Sequence, residues 1–154
     1  MSAKQTTVQA VTGHVGINVT NLERSKEFYM AALGLEVMTE SDSPDRRFAF
    51  LTDGRRVVIS LWEQSNGSFD PTRPGLHHLA FEVASAEEVA ELEGRVRRMG
   101  AVLLFDGIVA HSAGAKSGGI FFEDPDGTRL EVYSLDAGKD RPAPAGSSPT
   151  CGLW

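Results

Sequence analysis

The sequence predicts an α+β fold made of two tandem modules, each ordered as strand, helix and three strands. The first observation is an internal repeat: residues 13–19 (GHVGINV) are echoed by residues 77–83 (HHLAFEV), so that His14 aligns with His78. The second is a helical pattern after each copy. The third is a series of short β-branched and aromatic stretches that contains one Asp-Gly turn signal per copy. A half of about 60 residues is marginal alone, so we expect the two halves to share a core.

The composition divides the chain into five segments. The modules occupy residues 13–65 and 76–135, and the linker at 66–75 is rich in Gly, Pro and Asn. An N-terminal lead covers residues 1–12. Residues 136–154 hold three of the seven prolines and are expected to form a flexible tail.

Capping and stop signals locate the elements of each module. Asn21 can cap a first helix that stops at Gly34, and Ser85 can open a capping box for a second helix that stops at Gly100. The strands predicted after these helices are, in chain order, residues 35–39, 47–51, 57–62, 102–108, 120–123 and 129–133.

The composition also excludes several classes of function. The chain has 154 residues, with 15 Lys plus Arg against 21 Asp plus Glu and a formal charge of −6, which argues against a broad nucleic-acid surface. It contains no run of about 18 apolar residues and no signal-peptide pattern, so we expect neither a membrane span nor export. The single cysteine, Cys151, cannot form an intrachain disulfide, and we expect a cytoplasmic location.

Strand alternation predicts one ligand-facing side in each module. Successive side chains of a strand point to opposite faces, so His14 and His78 lie opposite the apolar residues of their own strands. The same rule puts Glu131 opposite Leu130 and Val132. Two imidazoles and one carboxylate from three strands can form a three-ligand site with open positions, which is typical of non-haem iron and other divalent ions.

These motifs resemble those of the vicinal oxygen chelate superfamily, which groups glyoxalase I, extradiol dioxygenases, fosfomycin-resistance transferases and bleomycin-binding proteins. The resemblance covers about residues 12 to 135. It implies a cup-shaped mixed β-sheet with the helices on the outside, around a divalent metal held by His14, His78 and Glu131. The matching motifs are residues 13–19, 25–29 (SKEFY), 33–35 (LGL), 78–83 (HLAFEV) and 122–131 (FEDPDGTRLE).

The resemblance also raises the question of a fourth ligand. Glyoxalase-like members take one, usually Glu, from the last strand of the first module. In the second module, Glu131 lies four residues after Gly127 of the Asp-Gly turn. Four residues after Gly54, the equivalent glycine of the first module, lies Val58. Valine cannot coordinate a metal, so the chain is more similar to the three-ligand dioxygenases, and Glu63 enters only if the register slips.

Other residues around the cup have two interpretations each. By similarity to the dioxygenases, His111 and Tyr133 are candidate catalytic residues; the alternative is a loop histidine and a structural tyrosine. His77 is expected opposite His78, toward the core. Arg47 can pair with an anionic substrate group or lie in a solvated turn. Four aromatic residues are expected mainly in the core, although an aromatic lining suits an aromatic ligand: Phe48, Phe50, Trp62 and Phe122.

The leading hypothesis is a divalent-metal-dependent enzyme, most similar to the dioxygenases, whose small substrate chelates the metal through vicinal oxygens. Fe(II) is favoured with a catechol-like substrate, whereas Zn, Ni or Mn suits lyase or isomerase chemistry. Two alternatives remain: a non-catalytic protein that binds a drug or toxin, and a metal-stabilised structural or regulatory domain. The resemblance also implies a homodimer, with modules paired either within or across chains.

Overall fold

The computed structural model describes residues 8–145. These residues form two four-stranded sheets, one in each module, and two helices. The predicted α+β fold of two βαβββ modules is therefore confirmed. In chain order the elements are β1 (Val15–Val19), α1 (Leu22–Leu33), β2 (Glu36–Ser43), β3 (Arg46–Thr52), β4 (Val57–Glu63), β5 (Leu79–Glu82), α2 (Ala86–Arg98), β6 (Val109–Ala110), β7 (Gly118–Glu123) and β8 (Arg129–Ser134).

The two modules have the same strand order. The first sheet is ordered β1-β4-β3-β2 and the second β5-β8-β7-β6. In each sheet the first strand runs parallel to the last, and the remaining neighbours are antiparallel. The sequence repeat is thus a repeat of topology, and it sets the first and last strands of each module side by side.

Both helices begin and end where their caps predict. Asn21 accepts a hydrogen bond from a first-turn N–H at 2.9 Å, and Gly34 closes α1 with φ +69°, a conformation that favours glycine. At α2, Ser85 Oγ accepts the N–H of Glu88. The Glu88 carboxylate accepts the N–H of Ala84, one residue before the donor that a capping box uses.

One hydrophobic core joins the modules. Helix α1 packs on β3 and β4, α2 packs on β7 and β8, and the two helices contact each other. The helices cover one face of each sheet, and we call the opposite face, on which neither described helix packs, the uncovered face. Strand residues with no exposed surface in this core are Val19, Ala49, Leu51, Ile59, Leu61, Ile120, Phe122, Leu130 and Val132.

Polar contacts also link the modules. The buried Tyr29 hydroxyl, on α1, donates to Asp124 Oδ2 at 2.8 Å in the turn before β8. Asp124 Oδ1 accepts the N–H groups of Asp126 and Thr128. Arg24 pairs with Asp126 at 2.6 Å. The acidic turn therefore anchors the first helix to the second module.

The predicted strand at 102–108 is wrong. Within residues 102–108 the regular structure is an isolated bridge from Leu103 to Phe122, and the two-residue β6 begins only at Val109. Gly107 has φ +96°, which interrupts an extended backbone. The other predicted strands are present, with ends that differ by a few residues.

The described part of the predicted tail contacts the second module. Ala137 is buried, and the N–H of Ala110 donates to the carbonyl of Pro142 at 2.9 Å. The remaining residues, 146–154, lie outside the described part of the chain and include Cys151. Within residues 8–145, neither helix has the length and apolar character needed to cross a bilayer.

Candidate active site

The last strand of the second module carries a buried carboxylate. Glu131 lies on β8 beside Ala80 of β5, and its side chain is 0% exposed. Burial alone raises the pKa of a carboxyl, but the imidazoles of His111 and His78 outweigh burial and lower the pKa of Glu131 below its usual value. Glu131 is therefore an ionised acceptor at neutral pH.

Two imidazoles approach the two oxygens of this carboxylate. His111 Nε2 lies 2.6 Å from Oε1 of Glu131, and His78 Nε2 lies 3.1 Å from Oε2. The His78 contact lacks hydrogen-bond alignment, so Oε2 is a buried oxygen with no hydrogen-bond partner among the described residues. The structure thus joins His78 and Glu131, as the strand pattern predicted, and adds His111.

The prediction for His77 is wrong. Its side chain is exposed rather than turned to the core, because β5 begins only at Leu79 and strand alternation does not reach residue 77. Nδ1 of His77 lies 2.7 Å from Nδ1 of His78. This contact, which the sequence analysis missed, orients the His78 ring.

His111 is buried and has partners at both ring nitrogens. Its side chain is 1% exposed, and Nδ1 lies 2.9 Å from Ser117 Oγ. Its ring centroid is 5.4 Å from that of Tyr133. The Tyr133 hydroxyl donates to Glu82 Oε2 at 2.9 Å, at the edge of the same face. His111 and Tyr133 were predicted candidates, whereas Ser117 was not predicted, because its contact with His111 forms only in the folded chain.

His14 lies apart from this group. It is exposed and precedes β1 in the first sheet. Across residues 8–145, no set of three or more His, Cys, Asp or Glu side chains is spaced to hold a metal ion. A single chain therefore does not assemble the three predicted ligands.

Strand register corrects the position of a fourth ligand. Ala80 faces Glu131 across β5 and β8, and the equivalent Gly16 faces Ser60 across β1 and β4. Ser60, rather than Val58, is the counterpart of Glu131. Counting from the turn failed because the β3–β4 hairpin has a register shift that the β7–β8 hairpin lacks.

Glu63 does not take the fourth position either. It lies three residues beyond Ser60 on β4, so it points to the opposite face of the sheet. Its carboxylate accepts the N–H of Leu22 at 2.6 Å and lies 3.0 Å from Arg47 Nε. Glu63 thus caps α1, and Arg47 pairs with it inside the first module.

Three aromatic residues that were expected mainly in the core lie on the uncovered face of the first sheet. Trp62 and Phe50 flank Ser60 on this face, since Phe50 is the cross-strand partner of Ser60 and Phe48 is that of Trp62. All three are half-buried, with ring centroids 5.1 to 5.9 Å apart. We call this cluster of Phe48, Phe50 and Trp62 the aromatic face.

A cation borders the aromatic face. The Arg46 guanidinium lies 5.2 Å from the ring centroid of Phe48 and 5.5 Å from that of Trp62, within cation–π range. Phe122, in contrast, is fully buried in the core as predicted. All four residues are aromatic, so the cross-strand pairing determines that Phe122 lies in the core and the other three on the aromatic face.

Fold and site together define a class of protein: paired βαβββ modules, of which the first has an aromatic sheet face and the second a His–carboxylate pair. A family model described as the Glyoxalase/Bleomycin resistance protein/Dioxygenase superfamily matches residues 12–132. The chain belongs to this superfamily.

Two relatives are enzymes that are named for different activities. A lactoylglutathione lyase of Neisseria meningitidis (serogroup A) is 34% identical over 137 residues, which cover 82% of this chain and 92% of the relative. A catechol-2,3-dioxygenase of Bacillus subtilis is 29% identical over 132 residues, covering 84% of this chain and 41% of the relative. This chain thus spans less than half the length of the dioxygenase.

A solved structure shows the same fold. It is a mutant of the fosfomycin resistance protein FosX from Listeria monocytogenes, complexed with Mn(II) and 1S,2S-dihydroxypropylphosphonic acid. Its TM-score is 0.64 at 18% identity, and the match covers 83% of this chain and 93% of that protein. At this identity the likeness concerns the fold alone.

Proposed function

We propose that this protein is a divalent-metal-dependent enzyme in which His14, His78 and Glu131 hold the metal and a small substrate chelates it through vicinal oxygens. The observation that carries the proposal is Glu131 Oε2, a buried carboxylate oxygen without a hydrogen bond, 3.1 Å from an imidazole nitrogen. An unpaired buried acceptor costs stability. A carboxylate oxygen and an imidazole nitrogen are suitable ligands for such an ion, so the residues fit.

In this proposal His14 comes from a second copy of the chain. His14 is exposed on the first sheet and is not grouped with His78 and Glu131 within one chain. A two-fold homodimer can bring the first module of one copy against the second module of the other, which creates two equivalent sites. Each site then has two ligands from one chain and one from its partner.

The aromatic face favours a catechol-like substrate. Phe48, Phe50 and Trp62 offer ring surface for offset stacking on the same sheet as His14. Ser60 stands where a fourth carboxylate ligand is needed, so three protein ligands leave positions open for the substrate. We therefore propose Fe(II) and dioxygenase-like chemistry. When bound, Fe(II) supplies Lewis-acid and one-electron chemistry.

The residues of this chain divide the remaining tasks. Tyr133 is the proposed catalytic residue, because its hydroxyl faces the uncovered side and donates to Glu82, so a proton can move at this oxygen. His111 is buried and contacts the ligand carboxylate rather than solvent. In the proposal it acts on the reaction through Glu131.

The second candidate is a glyoxalase-like lyase or isomerase. It is supported by the lactoylglutathione lyase match, which spans 92% of that protein. Ser60 weighs against it, since a hydroxyl replaces the expected carboxylate. The metal distinguishes the two candidates, because Zn, Ni or Mn suits the lyase and Fe(II) the dioxygenase.

The test is metal analysis by mass spectrometry on untagged protein purified without oxygen. Wild type, Glu131→Ala and the matched control Glu63→Gln are compared. The proposal expects one iron per chain in wild type and in Glu63→Gln and none in Glu131→Ala, followed by oxygen uptake with catechols. Zinc, nickel or manganese in the same pattern would support the lyase. No metal in any of the three proteins would contradict both and favour a binding protein.

A further inference from the structure

Ser117, His111 and Glu131 form a hydrogen-bonded triplet in which His111 and Glu131 are buried and Ser117 is half-buried. Ser117 Oγ lies 2.9 Å from His111 Nδ1, and His111 Nε2 lies 2.6 Å from Glu131 Oε1. The side chains of His111 and Glu131 are 1% and 0% exposed, so water does not compete for the contact between them. The second contact uses one of the two oxygens of Glu131 and leaves Oε2 toward His78.

The two contacts of the His111 ring fix a common direction for both hydrogen bonds. When Nε2 carries the ring proton, it donates to Glu131 Oε1 at 2.6 Å. In a neutral imidazole with its proton on Nε2, Nδ1 has a lone pair. The Ser117 hydroxyl then donates to Nδ1. Ser117 thus favours the tautomer that holds Glu131.

The backbone of Ser117 is fixed from two sides. Its carbonyl accepts the N–H of His111 at 3.1 Å. Gly138, in the described C-terminal segment, packs so closely that an added Cβ would collide with the same carbonyl. The N–H of Gly138 donates to the carbonyl of Lys116 at 2.7 Å. Residues 136–145 therefore pack against the loop that carries Ser117.

We propose that Ser117 is a positioning residue that, through His111, ties Oε1 of Glu131 and leaves Oε2 as the oxygen offered to the metal. The last step rests on the proposed function. The selection of the His111 tautomer does not, because it is a property of the metal-free chain. Groups that hydrogen-bond to a metal ligand in this way orient it and raise its affinity for the ion.

The tautomer is tested by nitrogen-15 NMR of the imidazoles in metal-free protein. The four histidines are few enough for His111→Asn to identify the His111 signals. We expect wild type and Ser117→Thr, which keeps the hydroxyl, to show the proton on Nε2. Ser117→Ala should keep this proton but change the Nδ1 chemical shift, because the Nδ1 lone pair loses its donor, and the control Ser112→Ala, in the same loop, should match wild type. A proton on Nδ1, a doubly protonated ring or an unchanged Ser117→Ala spectrum would overturn the proposal.

The effect on the metal site is tested by titrating each protein with Co(II). Ser117→Ala should bind Co(II) about 10-fold more weakly, the low end of the range for losing a hydrogen bond to a ligand, whereas Ser117→Thr and Ser112→Ala should resemble wild type. Equal affinity of Ser117→Ala and wild type would overturn the positioning role. A wild-type protein that binds no Co(II) would overturn the proposed metal site instead, and the NMR result alone would then decide the role of Ser117.

Discussion

The two modules share a topology but present different chemistry on their uncovered faces. The first offers the aromatic face around Ser60, whereas the second has Glu131 at the equivalent register position. Glu131 is surrounded by His78 and His111. The repeated strand order therefore does not repeat the site. The first module carries a ring surface and the second a carboxylate flanked by imidazoles, so the proposed site needs both.

The largest expected effect comes from changing the same register position in each module. Glu131→Ala removes the buried carboxylate beside two imidazoles, so we expect bound metal to be lost. Ser60→Ala removes a hydroxyl that accepts a hydrogen bond from Trp62 at 3.2 Å, so metal content should stay at the wild-type level. Metal analysis of both variants checks the prediction. Equal metal loss in Glu131→Ala and Ser60→Ala would mean that both modules contribute a ligand at this register position, which would contradict the proposed difference between them.

The next effect separates a tyrosine in the core from a tyrosine on the uncovered face. Tyr29→Phe leaves Asp124 Oδ2 without its donor, which should lower the free energy of unfolding by about 1–3 kcal/mol. Tyr133→Phe removes a bond to the exposed Glu82 and should change stability by about 0.5 kcal/mol or less. Under the proposed function it should slow turnover by about 100-fold.

Urea unfolding and steady-state rates measure the two effects. Tyr29→Phe should keep its turnover once folded, because Tyr29 lies in the core. The opposite pattern, with stability dependent on Tyr133 and turnover on Tyr29, would contradict the division between core and site.

A smaller effect is expected on the aromatic face. Trp62→Leu removes one ring of the three, so binding of a catechol should weaken about 3- to 10-fold, the size of one aromatic pair, while metal content stays unchanged. Phe69→Leu, a linker variant outside the aromatic face, is the control. Isothermal titration measures the affinities. If Trp62→Leu binds as wild type does, the first module is not the ring-binding surface.

The smallest expected effect is on the pH dependence of stability, where two buried carboxyls of the second module respond in opposite directions. Burial raises the pKa of Asp124 despite the hydrogen bonds it accepts. The imidazoles outweigh burial at Glu131 and lower its pKa. A lowered pKa contributes stability above the ordinary Glu pKa that is lost as the pH falls through the folded-state pKa. A raised pKa contributes stability below the ordinary Asp pKa that is lost as the pH rises through the folded-state pKa.

Urea unfolding with a chelator present, between about pH 3 and pH 7, covers both windows. Compared with wild type, Glu131→Gln should gain less stability as the pH rises through the ordinary Glu pKa. Asp124→Asn should lose less stability as the pH rises above the ordinary Asp pKa. A steeper gain in Glu131→Gln would show that the imidazoles do not stabilise the ionised carboxyl.

Local signals predicted most of the fold and half of the site. The caps at Asn21 and Ser85 depend on hydrogen bonds within one turn, so they are visible in sequence. Strand alternation predicted the sheet face on which Glu131 lies, because Glu131 lies inside a regular strand. The two-module topology followed from the repeat.

The predictions were wrong where pairing between strands that are distant in sequence determines the position of a side chain. His77 lies just outside β5, so alternation did not apply to it. The counterpart of Glu131 was misplaced at Val58 because a register shift cannot be counted from a turn. The aromatic face and the contact of Ser117 with His111 arise from residues that only the folded sheets bring together.

We propose that a complete site needs the first module of one copy and the second module of another. Complementation between two inactive variants tests this proposal most directly. His14→Ala and Glu131→Ala are unfolded together, refolded and assayed for bound metal. Neither variant alone should hold metal. The mixture should recover about one quarter of the wild-type content, since half of the dimers are mixed and each has one intact site. A mixture that stays metal-free, while refolded wild type recovers its metal, would contradict the shared site.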